Sequence, residues 1–334
     1  MDALSDVLRA IRLTGAVFLD AELWAGWSYL TPPPRLIGEL HMPEAEHIIP
    51  YHLVSEGRCL ARLVDGEPVQ LETGDLVVFP HGDRHVLASS NMGRLRGVEM
   101  TAESLHQLLR PGEVASMRSG RRGAATRLVC GYLACDRRLS EPILAGLPQM
   151  LSVNFQDSGI AAWVHTAVRF SVAESEAPRA GGAAVLAKLS ELLFVEAIRQ
   201  YMESLPPEQT GWLAGLRDRF VGRALALMHH EPAYPWTVEE LGKRVGLSRS
   251  ALADRFAELL GQPPMQYLTR WRISMAAQQL LLGNRGLAQI AEEVGYESEA
   301  AFNRAFKREF GVPPATWRKS GGTLAATDGA AAAS

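Results

Sequence analysis

Two stretches in the last third of the chain repeat one another, and this repeat limits what the chain can fold into. The first, LGKRVGLSRSALADRFAELLGQPP, runs from Leu241 to Pro264. The second, IAEEVGYESEAAFNRAFKREFGVPP, runs from Ile290 to Pro314. Val245-Gly246 aligns with Val294-Gly295. After one extra residue in the second turn, Ser248, Leu252, Phe256, Leu260, Gly261, Pro263 and Pro264 align with Ser298, Phe302, Phe306, Phe310, Gly311, Pro313 and Pro314. Self-similarity of this kind marks a repeated supersecondary unit. Each copy reads as a short helix, a turn with Gly and a second helix, the helix-turn-helix pattern. Gly246 and Gly295 stand where a helix ends and a positive φ costs little. Ser248 and Ser298 are placed to N-cap the second helices. The four-residue spacing of Leu252, Phe256 and Leu260, and of Phe302, Phe306 and Phe310, lays each trio on one helix face. Thr237-Val238-Glu239-Glu240 is a capping box for the first copy, whereas Gly286 gives the second a weaker start. The run from Met265 to Leu282 predicts one helix long enough to hold both copies in fixed relation.

A single helical pair with a Gly turn is explained as an αα-hairpin. Two copies with the same cap, turn and apolar spacing call for a shared task. The faces opposite the apolar rows carry Arg249, Asp254 and Arg255 in one copy, and Glu299, Asn303, Arg304 and Lys307 in the other. Charge points the same way. The 334 residues hold 34 Lys and Arg and 37 Asp and Glu. Between Gly215 and Ser320 the balance is 15 basic to 11 acidic, which leaves 19 basic and 26 acidic elsewhere. Only the C-terminal third is suited to meet a polyanion.

This region, about Trp212 to Lys319, resembles the DNA-binding domain of the AraC/XylS family of bacterial transcription regulators. The most specific stretch is Ala301-Phe302-Asn303-Arg304-Ala305-Phe306-Lys307-Arg308-Glu309-Phe310-Gly311-Val312-Pro313-Pro314, followed by Trp317-Arg318. The resemblance implies recognition helices at about Ser248–Leu260 and Ser298–Phe310. These would enter successive major grooves ~34 Å apart on one face of double-stranded promoter DNA. It makes Arg249, Ser250, Asp254, Glu299, Asn303 and Arg304 candidates for base edges, since Arg suits guanine, Asn adenine and a carboxylate cytosine. Lys307 and the helix N-termini at Ser248 and Ser298 suit phosphates. About half of this set is expected to touch DNA without reading sequence.

From Leu4 to Leu139 the pattern changes. Short apolar runs such as Leu60–Val64 and Leu76–Phe79 alternate with Pro32-Pro33-Pro34, Asp65-Gly66 and His81-Gly82-Asp83. Short strands separated by frequent turns read as a β-sandwich or barrel. Gly74 to His85 fits G-x5-P-x-G-x2-H, which resembles the second motif of cupins, small jelly-roll barrels. It predicts a strand, a turn and a return strand that points His85 inward. His52-Leu53-Val54-Ser55-Glu56-Gly57 reads as a strand entering a hairpin, as in the first cupin motif. The resemblance covers about Leu4 to Val172 and matches sensing domains found in part of the AraC/XylS family. The implied fold class is α+β, with a cupin-like β jelly-roll barrel followed by an all-α domain of two helix-turn-helix units.

Metallo-cupins hold a divalent ion with three His and a Glu, so His52, His81 and His85 are candidate metal ligands. No His-x-His pair is present, and His47 and His52, five apart, face opposite sides of an ideal strand. The incomplete ligand set favours His52 and His85 as hydrogen-bonding groups in an effector pocket or core over a metal site. Cys130 and Cys135 form a C-x4-C pair. As a redox pair or soft-metal site they would need a bulge at Gly131, because their parity places them on opposite faces. Two small buried hydrophobes is the favoured reading.

The expected organisation is a cupin-like effector-sensing domain at 1–180, a helical linker with a potential dimer interface at 181–211, the DNA-binding domain at 212–319 and a disordered tail at 320–334. The linker helix, about Ala183 to Leu205, carries a stripe through Leu186, Leu189, Leu192, Leu193, Glu196 and Ala197, read as apolar, and stops at Pro206-Pro207. The three cysteines, Cys59 among them, cannot frame a chain of this size with disulfides. MDALSD at the start is acidic where a signal peptide is basic, and no apolar run approaches the ~18 residues of a membrane span. A cytoplasmic one-component transcription regulator is the resulting expectation. It is a homodimer, responds to a small-molecule effector and is not an enzyme. The alternatives are a metal-dependent cupin enzyme fused to a DNA-binding domain, and a thiol-based redox regulator.

Overall fold

The computed structural model describes residues 3–322 apart from 12, 43–44, 90–97, 100–102, 104–113, 121, 157–158, 178 and 284. The expected disordered tail therefore lies, from 323 onward, outside the described residues. The chain forms two compact units. One is Ile11–Leu205; the other joins Met1–Ala10 to Pro206–Ser334. The first helix, α1 (Ala3–Ala10), thus belongs with the C-terminal unit.

The Ile11–Leu205 unit contains β1 (Thr14–Trp24), β2 (Ser28–Leu30), α2 (Pro34–His41), β3 (His47–Glu56), β4 (Arg58–Leu63), β5 (Val69–Glu72), β6 (Asp75–Val78), β7 (His85–Ser89), β8 (Val98–Glu99), β9 (Ala115–Ser119) and β10 (Ala125–Cys135). Then come α3 (Arg137–Leu144), β11 (Leu151–Asn154), α4 (Ala161–Glu176) and α5 (Gly182–Ser204). The strands form a six-stranded sheet, β11-β6-β3-β10-β1-β9, and a five-stranded sheet, β5-β4-β7-β2-β8. Their inner faces close over Leu23, Val54, Ala61, Leu71, Val77, Leu87 and Leu128, the alternate positions that a half-buried strand turns inward. This is the jelly-roll barrel that the resemblance to cupins implies.

Two details differ from expectation. β3 and β4 are not a hairpin. They belong to opposite sheets, and the chain turns the corner at Gly57, whose φ is +82°. A Cβ there would lie 2.3 Å from the Ala125 carbonyl oxygen, so the tight corner excludes a side chain. The second cupin-like motif does the same, because β6 pairs with β3 and β11 while β7 pairs with β4 and β2. Local sequence marks a turn, but it does not say which sheet the next strand joins.

Helix α5 packs on the barrel. Leu186, Leu193, Phe194, Ala197 and Ile198 are buried, and Pro206 follows just beyond the helix end. Gly15 of β1 lets the helix backbone close in, since a Cβ there would lie 2.5 Å from the Ala187 oxygen. Ser190 donates to the Leu186 carbonyl at 2.9 Å, which leaves its oxygen to accept from Tyr51 at 2.6 Å. The predicted stripe splits in two. Leu186 and Leu193 face the barrel, while Leu192 stays 51% exposed.

The other unit contains α6 (Trp212–Arg217), α7 (Val221–His230), α8 (Val238–Val245), α9 (Arg249–Leu260), α10 (Pro264–Leu282), α11 (Leu287–Glu293), α12 (Glu299–Phe310) and α13 (Pro314–Lys319). The two helix-turn-helix units are α8–α9 and α11–α12, with α10 between them. Ser248 accepts from the Ala251 amide at 3.2 Å and Ser298 from the Ala301 amide at 3.3 Å, so both predicted caps form. Thr237 accepts from the Glu240 amide at 3.1 Å, but the Glu240 carboxylate turns to Arg244 instead of closing the box. Gly286 gives α11 no side-chain cap, the weaker start that the sequence implies. Gly246 (φ +87°) and Gly295 (φ +84°) take the left-handed conformation at the turns.

The apolar rows carry the packing. Leu252 and Phe256 are fully buried in the first unit. In the second, Phe302, Phe306 and Phe310 close against Ile273, Ala277 and Leu280 of α10 and against Trp317. Each fully buried Phe contributes about 1.5–3 kcal/mol. α1 packs on α7, with Ala3, Leu4 and Val7 buried.

Candidate nucleic-acid interface and barrel cavity

The capped N-termini of α9 and α12 are what the helix-turn-helix geometry leaves exposed. Ser248, Arg249, Ser250 and Asp254 are exposed on α9, and Ser298, Glu299, Arg304 and Lys307 on α12. Asn303 is half-buried, and its amide donates to the Glu299 carbonyl at 2.9 Å within the helix. Arg255 is tied to Asp218 by two hydrogen bonds, one of them Nε to Oδ2 at 2.8 Å. Asp218 also accepts from the amides of Phe220 and Val221, and together these partners hold its carboxyl below the usual range despite its partial burial. Arg255 therefore fixes α9 to the start of α7.

One residue that fixes the interface went unread in the sequence. Arg272, midway along α10, donates from Nε to the Pro232 carbonyl at 2.6 Å, from Nη2 to that of Tyr234 at 2.8 Å, and from Nη1 to that of Gly295 at 3.2 Å. The first two carbonyls precede the first helix-turn-helix and the third lies in the turn of the second. One guanidinium thus ties both units together. Gly295 makes the approach possible, since a Cβ there would lie 2.7 Å from the Ala233 Cα. In sequence Arg272 is only one of two basic residues on a long helix. Elsewhere on α10, His229 stacks on Trp271 at 3.9 Å and its Nε2 bonds the Tyr267 hydroxyl at 2.7 Å. Burial pushes the His229 pKa down to about 3.

In the barrel, His52 and His85 meet and His81 does not join them. The Nε2 atoms of His52 and His85 are 2.7 Å apart, whereas His81 Nε2 bonds the Leu147 carbonyl at 3.0 Å. His85 is wholly buried, stacked on Phe79 at 3.4 Å between ring centres. A chain of hydrogen bonds sets the tautomers. His85 Nδ1 lies 2.9 Å from the Asp83 carbonyl, which only accepts, so the proton is on Nδ1. Burial lowers His85 to about 3 and His52 well below 6.5, so both are neutral. His85 Nε2 then accepts, His52 Nε2–H donates to it, and His52 Nδ1 is a bare lone pair. That atom is buried and has no partner.

A cavity of about 60 Å³ opens beside His52. Its walls include Leu19, Leu23, Trp27, Ile37, Leu87 and Leu128. Among the described residues no Asp, Glu, Lys or Arg lines it. His85 reaches it only through His52. The metal reading is corrected by this geometry. Two nitrogens 2.7 Å apart share a proton, and nitrogens at ~2.0–2.1 Å on a tetrahedral zinc would sit farther from each other. His47, the remaining neighbour, is engaged with the Pro80 carbonyl at 2.7 Å. Among the described residues no group of three or more His, Cys, Asp or Glu is placed to hold an ion.

The cysteine pair is corrected as well. Cys130 lies opposite His52 and Cys135 opposite His47 in an unbroken register, with no bulge at Gly131. Five residues of strand set them ~17 Å apart on opposite faces. The bulge is instead in β1, between Val17 and Leu19. Gly131 serves another purpose: a Cβ there would lie 2.2 Å from the Tyr51 ring. All three cysteines are free and buried, and burial pushes Cys135 up to about 11 and Cys59 to about 12. Such thiols are protonated and unreactive.

A jelly-roll barrel with an apolar cavity, joined to two helix-turn-helix units with exposed capped helices, defines a DNA-binding regulator with its own sensing domain. Residues 2–203 match the cupin family and residues 241–320 a helix-turn-helix domain family. The chain is 33% identical over 326 residues to an AraC-like transcription regulator of Streptomyces lividans, covering 96% of this chain and 98% of that one. It is 33% identical over 325 residues to a similar regulator of Streptomyces antibioticus, covering 96% and 99%. With the HTH-type transcriptional regulator AlkR of Acinetobacter baylyi the identity is 27% over 332 residues, again 96% and 99%. The chain belongs to the AraC-like transcription regulators that carry an N-terminal cupin domain.

Proposed function

We propose that the barrel cavity is the effector site and that α9 and α12 read double-stranded promoter DNA through the residues named above. Effector occupancy shifts the population of DNA-competent states. The observation that carries this reading is the exposure of both N-capped helices, at matching positions of the repeat, on a scaffold that Arg272 and α10 hold together. The protein then works as a binding protein and not as an enzyme, in keeping with the regulators it is similar to. It acts in the cytoplasm, where promoter DNA is found. Among the described residues no helix is long and apolar enough to cross a membrane.

Homodimerisation through the outer face of α5 completes the reading. Val185 (45% exposed) and Leu192 (51%) lie seven residues apart on that face, flanked by the Lys188–Glu191 and Arg199–Glu196 pairs. A two-fold axis there would bury the same stripe on both copies. The test is footprinting of the DNA flanking the protein's own gene, with light scattering for mass. Protection of two major grooves on one DNA face per protomer, by a dimer that Leu192→Glu makes monomeric, is expected. Protection without phase, or an unchanged mass for Leu192→Glu, overturns the respective part.

A further inference from the structure

The two recognition helices carry opposite charges at matching positions of the repeat. Arg249 heads α9 where Glu299 heads α12, and Asp254, Ala257 and Glu258 of α9 align with Arg304, Lys307 and Arg308 of α12. All of these residues are exposed. With the apolar row of each helix turned to the core, helical periodicity sends the later three to the outward flank and leaves the first at the N-terminal end. The turn before α12 adds Glu297, also exposed, where the first copy has the half-buried Leu247. Thus α9 offers DNA a cationic end and an acidic flank, whereas α12 offers an acidic end and a cationic flank. Neighbouring charges do not cancel this difference. Arg255 of α9 is tied to Asp218 and Glu309 of α12 to Arg270 at 3.2 Å, but among the described residues Glu297, Glu299, Arg304, Lys307 and Arg308 are in no ion pair.

We propose that Glu297 and Glu299 set specificity at α12 by exclusion. Two carboxylates at a helix end are repelled by phosphates, and in the major groove they lose hydration against base edges that are mostly acceptors. Guanine and thymine show acceptors there, and adenine shows an acceptor beside its amino group. Cytosine alone shows a donor with no acceptor next to it. The end of α12 therefore settles only where a cytosine amino group meets Glu299. Arg304, Lys307 and Arg308 on the flank supply the phosphate attraction that the end lacks. Phosphate contacts carry no sequence information, so a uniformly cationic α12 would hold any duplex. The acidic end makes wrong sites costly, which is how a binder gains specificity without gaining affinity. In α9 the attraction sits at the end instead, in Arg249. This division of work presupposes that both helices meet DNA, as proposed above, and adds what each contributes.

The full-length protein is titrated by fluorescence anisotropy, over a series of salt concentrations, against two duplexes of equal length. One is selected by the wild type from a randomised pool and the other is random. Glu297→Gln with Glu299→Gln should raise affinity for the random duplex about three- to tenfold, while the selected duplex gains less than about twofold or weakens. Repeating the selection with Glu299→Gln alone should lose a preference for cytosine. Asp65→Asn with Glu67→Gln, in the exposed turn between β4 and β5, changes the net charge equally and should leave the ratio of the two affinities unchanged. Arg304→Gln, Lys307→Gln and Arg308→Gln together should flatten the slope of log affinity against log salt by about 2–3, and Arg249→Gln by no more than about 1. A ratio that does not fall in the Glu297 and Glu299 variant, or that falls equally in the turn control, overturns the exclusion and leaves α12 on the DNA. An unchanged salt slope in the flank variant removes α12 from the interface, and the exclusion with it.

Discussion

The buried histidines tie this protein's stability to pH, with a sign that follows from their surroundings. His52 and His85 are neutral in the folded barrel because burial lowers both, His85 to about 3. In the unfolded chain both titrate near 6.5. Below that pH the unfolded state takes up protons that the folded state refuses. Stability is therefore fully present above about pH 6.5 and lost as pH falls from there toward 3, at up to about 1.4 kcal/mol per pH unit for each histidine. Urea unfolding at pH 7, 6 and 5 should show the barrel losing roughly 2–3 kcal/mol between pH 6 and 5 from this pair. Trp27→Phe should keep that slope and His52→Phe should reduce it by about half. An unchanged slope in His52→Phe would place the effect elsewhere. On the DNA side, Arg249→Ala should weaken a specific site by roughly ten- to hundredfold and relax one base position, if the guanidinium reads a guanine edge. Lys307→Ala should weaken specific and random DNA by similar factors, as a phosphate contact does. Anisotropy titrations on both kinds of DNA distinguish the two roles.

At the level of elements, the repeat wrote its own structure into the sequence. Cap, turn glycine and apolar row are local features, and each of Ser248, Gly246, Phe256, Ser298, Gly295 and Phe306 does in the fold what its spacing implies. Ser298→Ala should accordingly cost about 1 kcal/mol of stability, as loss of an N-cap does, measured by chemical denaturation of the full chain. Threonine at the same position should recover most of it. The barrel was less legible. Its strands and the inward aim of His85 follow from local pattern. The corner at Gly57, the partner strand of β7 and the separation of Cys130 from Cys135 depend on which sheet each strand joins, and that is decided by contacts far apart in sequence. The same holds for Arg272, whose three carbonyl partners lie 23 to 40 residues away. For the site, the sequence supplied the residues His52 and His85, while the direction of the proton between them needed the Asp83 carbonyl. Trp27, a cavity-lining residue with a buried N–H that has no partner, has no motif around it.

The DNA-binding unit is made from two segments, one before the barrel and one after it. DNA affinity of the full protein should fall steeply with salt, because phosphate contacts release counterions. A flat log–log plot of affinity against salt would argue against a phosphate-tracking interface. Deleting residues 1–10, or introducing Leu4→Asp with Val7→Asp, should destabilise the DNA-binding unit by about 3 kcal/mol, since two buried aliphatic side chains lose their place on α7. The barrel should keep its own unfolding transition. A DNA-binding unit of undiminished stability after the deletion would show that α1 adds nothing. The placement of α1 also bears on how the protein is made. The helix leaves the ribosome ahead of α7, which follows roughly 210 residues later, a wait of about 10–40 s at 5–20 residues per second. Until then its apolar face has no partner, and the barrel between the two has time to fold. A message cut short before α7 yields a barrel with an unpartnered α1 and no complete DNA-binding unit.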